Sequence, residues 1–330
     1  MLERIFYAAR RRLALFALLG GALACGAVAA QPTTLRLGTG GAAEEQLWLL
    51  QAKPDVGTAQ GKHYTLDVTR FAGAEKRFQA LEASALDVAT ASANSAMLAA
   101  SEGADFRIIA SLSRESLQGF ATKYFVKQDS PIKTVQDLKG KTIGINALNS
   151  STHLWARMVL EKNGLNPDRD VTFTPVSFPA QGEALRSGKI DIGAFPQPFA
   201  TAEEKRGGVR QLFTSKDGVP FDEELMVLIA SPDALKSKGD AIKGLLGDLV
   251  ASTRYYIQHP QDARKELISA KLVRISPDIY LPMSDYYRDP SARVDVGALR
   301  DMQKILVEKG FQRKAVDVEK LVDLSYLPGK

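Results

Sequence analysis

Three consecutive hydroxyl residues, Ser150-Ser151-Thr152, stand where a strand pattern gives way to a helix pattern. The strand pattern covers residues 142–145, and the helix pattern runs from His153 to Lys162. One interpretation is that these hydroxyls cap the free backbone N–H groups of the helix. The other is an anion site, because Asn149 and the hydroxyls would lie at the positive end of the helix dipole.

A glycine-rich turn at residues 38–41 has the equivalent place after the first predicted strand. No Lys-Ser/Thr pair follows it, and Ala43 replaces the last glycine of a G-x-G-x-x-G pattern. Neither nucleotide-binding motif is therefore complete. Gly40 and Gly41 carry N–H groups that no side chain obstructs, so we expect the backbone here to approach a ligand closely.

The chain contains two similar halves. Leu81 followed by Asp87 is echoed by Leu185 followed by Asp191, with the same spacing. Each half has the pattern strand, turn, helix, strand, helix, strand, and two such units facing each other make a cleft for a small ligand. The two aspartates suggest a catalytic pair, but their position at a strand start after a helix favours a capping or turn role.

Residues at the carboxyl ends of the predicted strands are further candidates, because open α/β sheets bind ligands there. Phe178, Phe195 and Phe199 could surround an apolar ligand, although aromatic residues at such positions more often belong to the core. Arg114 is expected either to pair with a carboxylate or sulfonate or to be solvated. The candidate ligand contacts are Gly40, Gly41, Ser92, Ala93, Asn94, Arg114, Asn149, Ser150, Ser151, Thr152, Phe195, Gln197 and Pro198.

The alternation of strands with helices predicts an α/β fold with a mainly parallel sheet flanked by helices in each lobe. Strands at 120–126 and 225–230 bracket the second unit, and we interpret them as two crossings that form a hinge. The helical patterns after Asp233 are expected to pack on the first lobe. The predicted domains are a signal peptide at 1–30, a first lobe at 31–116 and 229–330, and a second lobe at 117–228.

The first thirty residues have the pattern of a secretory signal. Four arginines precede an apolar run from Leu13 to Ala30 that ends in small residues, so we expect cleavage after Ala30. The alternatives are a retained membrane span, lipidation at Cys25, and export by the twin-arginine route through the arginines at 10–12. Without this segment 39 basic and 37 acidic residues remain, a near-neutral charge that gives no electrostatic footprint for nucleic acid.

The sequence offers no good candidate for enzyme chemistry or for a metal site. His63, His153 and His259 are scattered, and neither H-E-x-x-H nor G-x-S-x-G occurs. The single cysteine, Cys25, lies in the predicted signal. Ser151 lies two positions before His153 on a helix, so the two side chains point in different directions. We therefore expect no catalytic residue, no cofactor and no metal.

Six short segments follow one another in a specific order: Ser130-Pro131-Ile132, 135–141, Ile143-Gly144, Ser150-Ser151, 160–165 and 187–191. Together they resemble the nitrate/sulfonate/taurine class of periplasmic binding proteins that serve ABC importers. The resemblance implies a two-lobed type II periplasmic-binding-protein fold that closes on a small anion and delivers it to an ABC permease in the inner membrane. Because the candidate site is rich in hydroxyls and has few positive side chains, we expect a small organic anion, a sulfonate or carboxylate. Ala85 departs from the pattern, since the family and the second half of this chain, at Gly188, have glycine there.

The resemblance leaves two alternatives to transport. One is an enzyme on the same fold, related to thiamin-pyrimidine synthesis, and the other is a sensor that presents its ligand to a receptor. The predicted signal and the lack of a reactive His/Cys cluster argue against the enzyme. No feature of the sequence predicts oligomerisation, so we expect a monomer in the periplasm.

Overall fold

The computed structural model describes residues 31–71 and 73–329 of the chain. The predicted signal peptide, with Cys25 and its arginines, lies outside these residues. No helix in the described ranges combines the length and the apolar character that a membrane crossing requires.

The first part of the chain forms four strands and three helices. Leu35 and Leu37 are fully buried on either side of half-buried Arg36, as expected for a strand with one face on the core. The elements are β1 (Thr33–Thr39), α1 (Glu45–Ala52), β2 (Tyr64–Arg70), α2 (Ala74–Glu82), β3 (Val88–Ser92), α3 (Ala93–Ser101) and β4 (Arg107–Glu115).

The middle of the chain repeats this arrangement. Its leading helix buries Leu154, Trp155 and Val159 on one face and ends before Gly164, whose φ of +80° suits the residue after a helix C-cap. The elements are β5 (Lys123–Lys127), β6 (Lys141–Ile145), α4 (Ser151–Lys162), β7 (Val171–Pro175), α5 (Phe178–Arg186), β8 (Ile192–Phe195), α6 (Phe199–Arg206), β9 (Val209–Thr214) and α7 (Ser215–Gly218).

The last part adds one strand and six helices. The long helix α9 packs against α1 and β2, and α12 packs against α3 and β10, so these helices lie against elements of the first sheet. The elements are β10 (Glu223–Ala230), α8 (Pro232–Ser237), α9 (Gly239–Gln258), α10 (Pro260–Ser269), α11 (Pro277–Tyr280), α12 (Val296–Glu308) and α13 (Val318–Leu321).

The two sheets have five strands each and the same layout. Their orders are β2-β1-β3-β10-β4 and β7-β6-β8-β5-β9. The first three strands of each order are parallel, as predicted, whereas β10 and β5 run antiparallel to both of their neighbours. These two antiparallel strands are the ones that adjoin the crossings, so both sheets are mixed.

The repeated aspartates have the same structural role in both lobes. The Asp87 carboxylate accepts the Arg36 N–H at 2.8 Å, and the Asp191 carboxylate accepts the Thr142 N–H at 2.8 Å. Each aspartate also donates its own backbone N–H to the carbonyl of that same partner. Asp87 and Asp191 therefore tie the loop before the third strand to the first strand, which confirms the turn role and not a catalytic pair.

Ser84, and not Ala85, is the counterpart of Gly188. Ser84 has φ +54° and Gly188 has φ +74°, and each lies two positions after the end of its helix, α2 or α5. A left-handed residue here lets the chain turn back from a helix, and glycine does this without a Cβ penalty. The residue that departs from the glycine pattern is therefore Ser84 and not Ala85, and Ser84 adopts the left-handed conformation.

Two short segments, 116–122 and 215–222, connect the sheets. The carboxylate of buried Glu115, at the end of β4, accepts hydrogen bonds from the Thr122 N–H at 2.9 Å and the Ser215 hydroxyl at 2.7 Å. Because these groups bond to Glu115, the strand expected from residue 120 begins only at Lys123. The domain boundary expected after residue 228 falls inside β10, which belongs to the first sheet.

Candidate functional site between the lobes

A cavity of about 430 Å³ lies between the two lobes. The first lobe contributes the turn after β1, the start of α2 and the end of β3, and the second lobe contributes the turn after β6 and the starts of α4 and α5. Residues of β10 and the side chain of Tyr286 complete the wall. Small-molecule sites have volumes of roughly 300–1,000 Å³, so this cavity suits a small ligand.

The start of α4 presents two free backbone N–H groups to this cavity. Ser151 and Thr152 are the first two residues of α4, and Ser150 precedes them as a cap without a side-chain capping bond. Within the described ranges no acceptor bonds to the N–H of Ser151 or Thr152. Both residues line the cavity, and unpaired N–H groups at the positive end of a helix favour an anion.

The three hydroxyls of this turn already have partners in the protein. The Ser150 hydroxyl donates to the Ala147 carbonyl at 2.7 Å, and the Thr152 hydroxyl oxygen accepts the Asn146 N–H at 3.1 Å. The Ser151 hydroxyl accepts a bond from the Asn94 side chain of the other lobe at 3.0 Å. The side chains therefore hold the turn in shape, and the donors that remain for an anion are the free backbone N–H groups and the Ser151 hydroxyl, which only accepts a bond.

His153 fixes the same turn from behind. Its Nδ1 accepts the Asn149 N–H at 3.1 Å, and its ring lies edge-on to Phe173 with centroids 4.5 Å apart. Asn149 adopts a left-handed φ of +59°, a conformation that asparagine tolerates better than most residues. Burial lowers the pKa of His153 to about 4, so the imidazole is neutral near pH 7 and remains an acceptor.

The turn of the first lobe differs from the sequence expectation. Gly40 and Gly41 line the cavity, but the Gly40 N–H donates to both carboxylate oxygens of Glu44, at 3.1 and 3.0 Å. The Thr90 hydroxyl donates to the same carboxylate at 2.7 Å. Glu44 is fully buried, and burial raises its pKa. The Gly40 N–H is therefore already bonded and is not the free donor that the glycine-rich turn suggested.

Arg77 brings a buried positive charge to this wall. It is 5% exposed, and its Nε donates to the Thr90 carbonyl at 2.6 Å. Its Nη1 and Nη2 lie beside Gly40, since a Cβ placed on Gly40 would be 3.1 and 3.5 Å from them. Nη2 has no hydrogen-bond partner in the part of the chain that the structure describes. Arg77 therefore offsets the charge of Glu44 and offers a donor beside the cavity.

Apolar side chains form much of the remaining wall. Phe71, Phe178, Leu225 and Met226 line it together with Trp155. Phe178 was expected to be a core residue or to surround a ligand, and the structure places it on the cavity. This surface suits an apolar body next to the anionic group of a ligand.

The Trp155 indole connects this wall to the hinge. Its N–H donates to the Glu223 carboxylate at 2.8 Å, and Lys216 donates to the same oxygen at 2.9 Å. Burial raises the pKa of Glu223 to about 7 although Lys216 opposes the shift. The protonation state of a hinge carboxylate is therefore linked to the orientation of a cavity residue.

The other residues predicted at the site are distributed around it. Ser92 lines the cavity and caps α3 by accepting the Ser95 N–H, while Ala93 is buried behind it as the first residue of that helix. Asn94 reaches the site through Ser151. Phe195 is buried in the core and stacks on Phe125 at 5.1 Å.

Three predicted residues have other surroundings. Gln197 is buried and donates its backbone N–H to the Tyr286 hydroxyl at 3.2 Å, so it supports a cavity residue from behind. Pro198 lines a separate cavity. Arg114 is neither solvated nor on the main cavity, because its Nε donates to buried Glu224 at 2.8 Å.

Three residues of the site had no signal in the sequence. Glu44, Arg77 and Tyr286 are charged or aromatic residues in patterns that fit an ordinary loop or helix. The equivalence of the turns at 38–41 and 146–150 could have pointed to Glu44, since it precedes α1 as Ser150 precedes α4. No group of three His, Cys, Asp or Glu residues in the described ranges could hold a metal ion.

A family model described as NMT1/THI5 like matches residues 63–263 of this chain, which is more than half of its length. The chain belongs to the NMT1/THI5-like family. The putative aliphatic sulfonates-binding protein of Escherichia coli K12 is 32% identical over 122 residues, or 37% of this chain. The matched stretch spans 36% of that relative.

Solved structures have the same two-lobed architecture. The alkanesulfonate-binding protein of Xanthomonas axonopodis pv. citri, bound to MOPS, has a TM-score of 0.70 at 21% identity, over 89% of this chain and 99% of that one. The periplasmic nitrate-binding protein of Synechocystis PCC 6803 has a TM-score of 0.69 at 13% identity, over 89% and 87%. The resemblance to nitrate- and sulfonate-binding proteins is therefore confirmed, and so is the periplasmic-binding-protein fold.

Proposed function

We propose that this protein is an extracytoplasmic solute-binding protein that captures a small organic anion, a sulfonate or carboxylate, and delivers it to an ABC permease. The main support is the pair of free N–H groups of Ser151 and Thr152, two residues that line the cavity between the lobes. The names of the E. coli, Xanthomonas and Synechocystis relatives, which bind sulfonates or nitrate, agree with this proposal.

The cavity has two regions that match the two parts of such a ligand. The anionic group is expected at the start of α4, with Arg77 contributing positive charge from the first lobe. The apolar body is expected against Phe71, Phe178 and Trp155. Buried Glu44 is the second charged group of this wall. The end of the ligand opposite its anionic group should therefore carry a hydrogen-bond donor rather than a second negative charge.

Several contacts hold the lobes together around the cavity. The Asn94 side chain bonds to Ser151 at 3.0 Å, and Lys309 pairs with Glu161 at 2.6 Å. On another side, the Gln197 side chain donates to the Ser284 carbonyl at 3.0 Å. Closure of this kind replaces the hydration of the anion with fixed donors and forms the surface that a permease recognises.

We propose binding without chemical conversion, by a monomer. The cavity wall presents N–H groups, an arginine and a buried carboxylate, and His153, behind this wall, is already engaged with Asn149. Incubation of the protein with a bound anion followed by mass spectrometry should return the ligand unchanged. Conversion of the ligand would instead favour the thiamin-pyrimidine type of enzyme.

Calorimetric titration of the protein from Gln31 onward tests the binding proposal. The panel contains taurine, longer alkanesulfonates, nitrate and aromatic carboxylates. At least one of these anions should bind with a 1:1 stoichiometry, and Arg77→Gln should weaken it by about tenfold to a hundredfold, because a charge-assisted hydrogen bond contributes about 1.5–3 kcal/mol. Arg169→Gln, an exposed arginine outside the cavity, is the matched control. Equal affinities in the two variants would contradict this site.

A further inference from the structure

A second cavity of about 290 Å³ lies on the other side of the turn Gly41-Ala42, which lines both cavities. The first lobe contributes Trp48 and the segment 272–275, and the second lobe contributes Phe199. Its volume is close to the lower limit of about 300 Å³ for small-molecule sites. A ligand of this cavity is therefore smaller than typical drug-sized molecules.

The inner surface of this cavity is aromatic and contains an unused polar group. Trp48 is 5% exposed and Tyr280 is 1% exposed. The Tyr280 hydroxyl is buried and has no hydrogen-bond partner among the residues that the structure describes. Buried hydroxyls are normally hydrogen-bonded, so an unpartnered one on a cavity wall points to a missing polar partner.

Positive charge predominates at this cavity. The Arg70 guanidinium lies over the Trp48 ring at 5.0 Å, and its Nε donates to the Gly40 carbonyl at 2.9 Å. Neither Arg70 nor Arg274, both lining residues, forms a salt bridge within the described ranges. The only acidic lining residue, Glu45, is paired with buried Arg288. Two exposed arginines without acidic partners therefore line the same small volume.

We propose that this cavity is a second binding site, for a small aromatic anion such as an aryl sulfonate or aryl carboxylate. The ring would pack between Trp48 and Phe199, where offset stacking of aromatic groups is favourable. The anionic group would bond to Arg70 and Arg274, whose planar guanidinium groups match carboxylate and sulfonate oxygens.

The second cavity is connected to the first through one residue. The Gly40 carbonyl accepts the Arg70 bond, and the Gly40 N–H donates to Glu44 on the wall of the first cavity. Gly40 therefore bonds to a wall residue of each cavity.

The two tryptophans of the chain separate the sites experimentally. Trp48 lines the second cavity and Trp155 lines the first. In the Trp155→Phe variant, fluorescence from Trp48 reports on the second cavity alone. Benzenesulfonate should cause a saturable change in this fluorescence, whereas benzyl alcohol, a neutral analogue of similar size, should not.

Substitutions then test the assignment. Arg70→Gln combined with Arg274→Gln should weaken the Trp48 response by tenfold or more, while Arg169→Gln should leave it unchanged. Ser150→Ala with Ser151→Ala, which changes the turn of the first cavity, should retain the Trp48 response. A Trp48 response that persists while affinity at the first cavity falls would separate the two proposals.

Calorimetry of the unmodified protein provides a second measurement in case Trp155→Phe is unstable. Benzenesulfonate should lose one binding event when Arg70 and Arg274 are both replaced. The proposal is overturned if the Trp48 signal does not saturate, if the double arginine variant binds as tightly as the Arg169→Gln control, or if calorimetry gives the same stoichiometry with and without the two arginines.

Discussion

The Asn94 side-chain amide donates a hydrogen bond of 3.0 Å to the Ser151 hydroxyl, and this bond joins the first lobe to the second. Asn94 is on α3 and is 4% exposed, whereas Ser151 begins α4 and lines the cavity. The bond therefore connects the closure of the lobes directly to the helix end where we place the anion.

Asn94→Ala should weaken anion binding by about two- to tenfold, because one net hydrogen bond of about 0.5–1.5 kcal/mol is lost from the closed state only. Titration calorimetry gives the affinity, and small-angle scattering gives the extent of closure. Ser101→Ala is the control, since that hydroxyl of α3 bonds only to Leu98 of the same helix. An unchanged affinity for Asn94→Ala would show that this bond does not contribute to closure.

Glu44→Gln should strengthen anion binding by several fold, whereas Arg77→Gln should weaken it. Removing the buried carboxylate removes like-charge repulsion from the wall, and the amide oxygen of glutamine still accepts the Gly40 N–H. Titration of both variants with the same sulfonate or carboxylate measures the two effects. The two substitutions should change the affinity in opposite directions. A loss of affinity in Glu44→Gln would mean that the carboxylate itself binds the ligand.

His153 should reduce the free energy of unfolding as the pH falls. Its pKa is about 4 in the folded protein against an ordinary value of 6.5, so the folded state binds fewer protons between these values. The stabilisation is complete above about pH 6.5 and is lost towards pH 4, by about 2 kcal/mol. Urea unfolding at pH 4.5 and 7.5 should show this loss in the natural protein and a smaller one in His153→Phe. Equal losses would exclude this histidine as the cause.

Glu223 should change the free energy of unfolding with pH in the opposite direction. Its pKa is raised from 4.5 to about 7, so the folded state retains a proton that the unfolded state has released. The free energy of unfolding therefore decreases as the pH rises from about 4.5 to 7, by about 2–3 kcal/mol relative to Glu223→Gln. Unfolding of both proteins at pH 5 and pH 8 gives this difference. In the variant Lys216 lacks its carboxylate partner at both pH values. Its contribution to the variant's free energy of unfolding is therefore the same at pH 5 and pH 8.

The repeated aspartates form a matched pair for mutation. Asp87 bonds to Arg36 and to Lys238, and together with its hydrogen bonds this holds its pKa at about 2. Asp87→Asn should lower the free energy of unfolding at pH 7 by about 2 kcal/mol, and this difference should disappear as the pH falls from 3.8 towards 2.

Asp191 makes the same backbone bond to Thr142 but has no salt bridge within the described ranges. Asp191→Asn should therefore cost less than about 1 kcal/mol, because an asparagine oxygen still accepts that bond. Equal costs for Asp87→Asn and Asp191→Asn would mean that Arg36 and Lys238 add no stability.

The sequence was sufficient to predict the elements that depend on residues close together in the chain. The strand pattern at 142–145 predicted β6 to within one residue, and the helix pattern from His153 to Lys162 predicted the end of α4. The repeated aspartates and the hydroxyl turn at 150–152 were recognisable because each depends on a short stretch of chain. These signals, with the order of the family motifs, defined the fold and half of the cavity.

The remainder depends on contacts between distant segments. Arg77 lies in the polar run Ala-Glu-Lys-Arg of α2, and only the meeting of α2 with the first turn places it beside Gly40. Arg114 does not line the main cavity, because it pairs with Glu224, which lies 110 positions later in the chain and on the neighbouring strand. Tyr286 reaches the cavity from a segment with no regular structure. Sequence periodicity does not predict such contacts between distant segments.

The place of β10 between β3 and β4 determines the order in which a growing chain can fold. The nested lobe has all five of its strands once residue 214 has been made, whereas β4 gains its neighbour in the sheet only when residues 223–230 appear. The amino-terminal sheet is thus the last to be completed although its first strands are synthesised earliest. A polypeptide built in this way stays incompletely folded until β10 ends at residue 230 of 330.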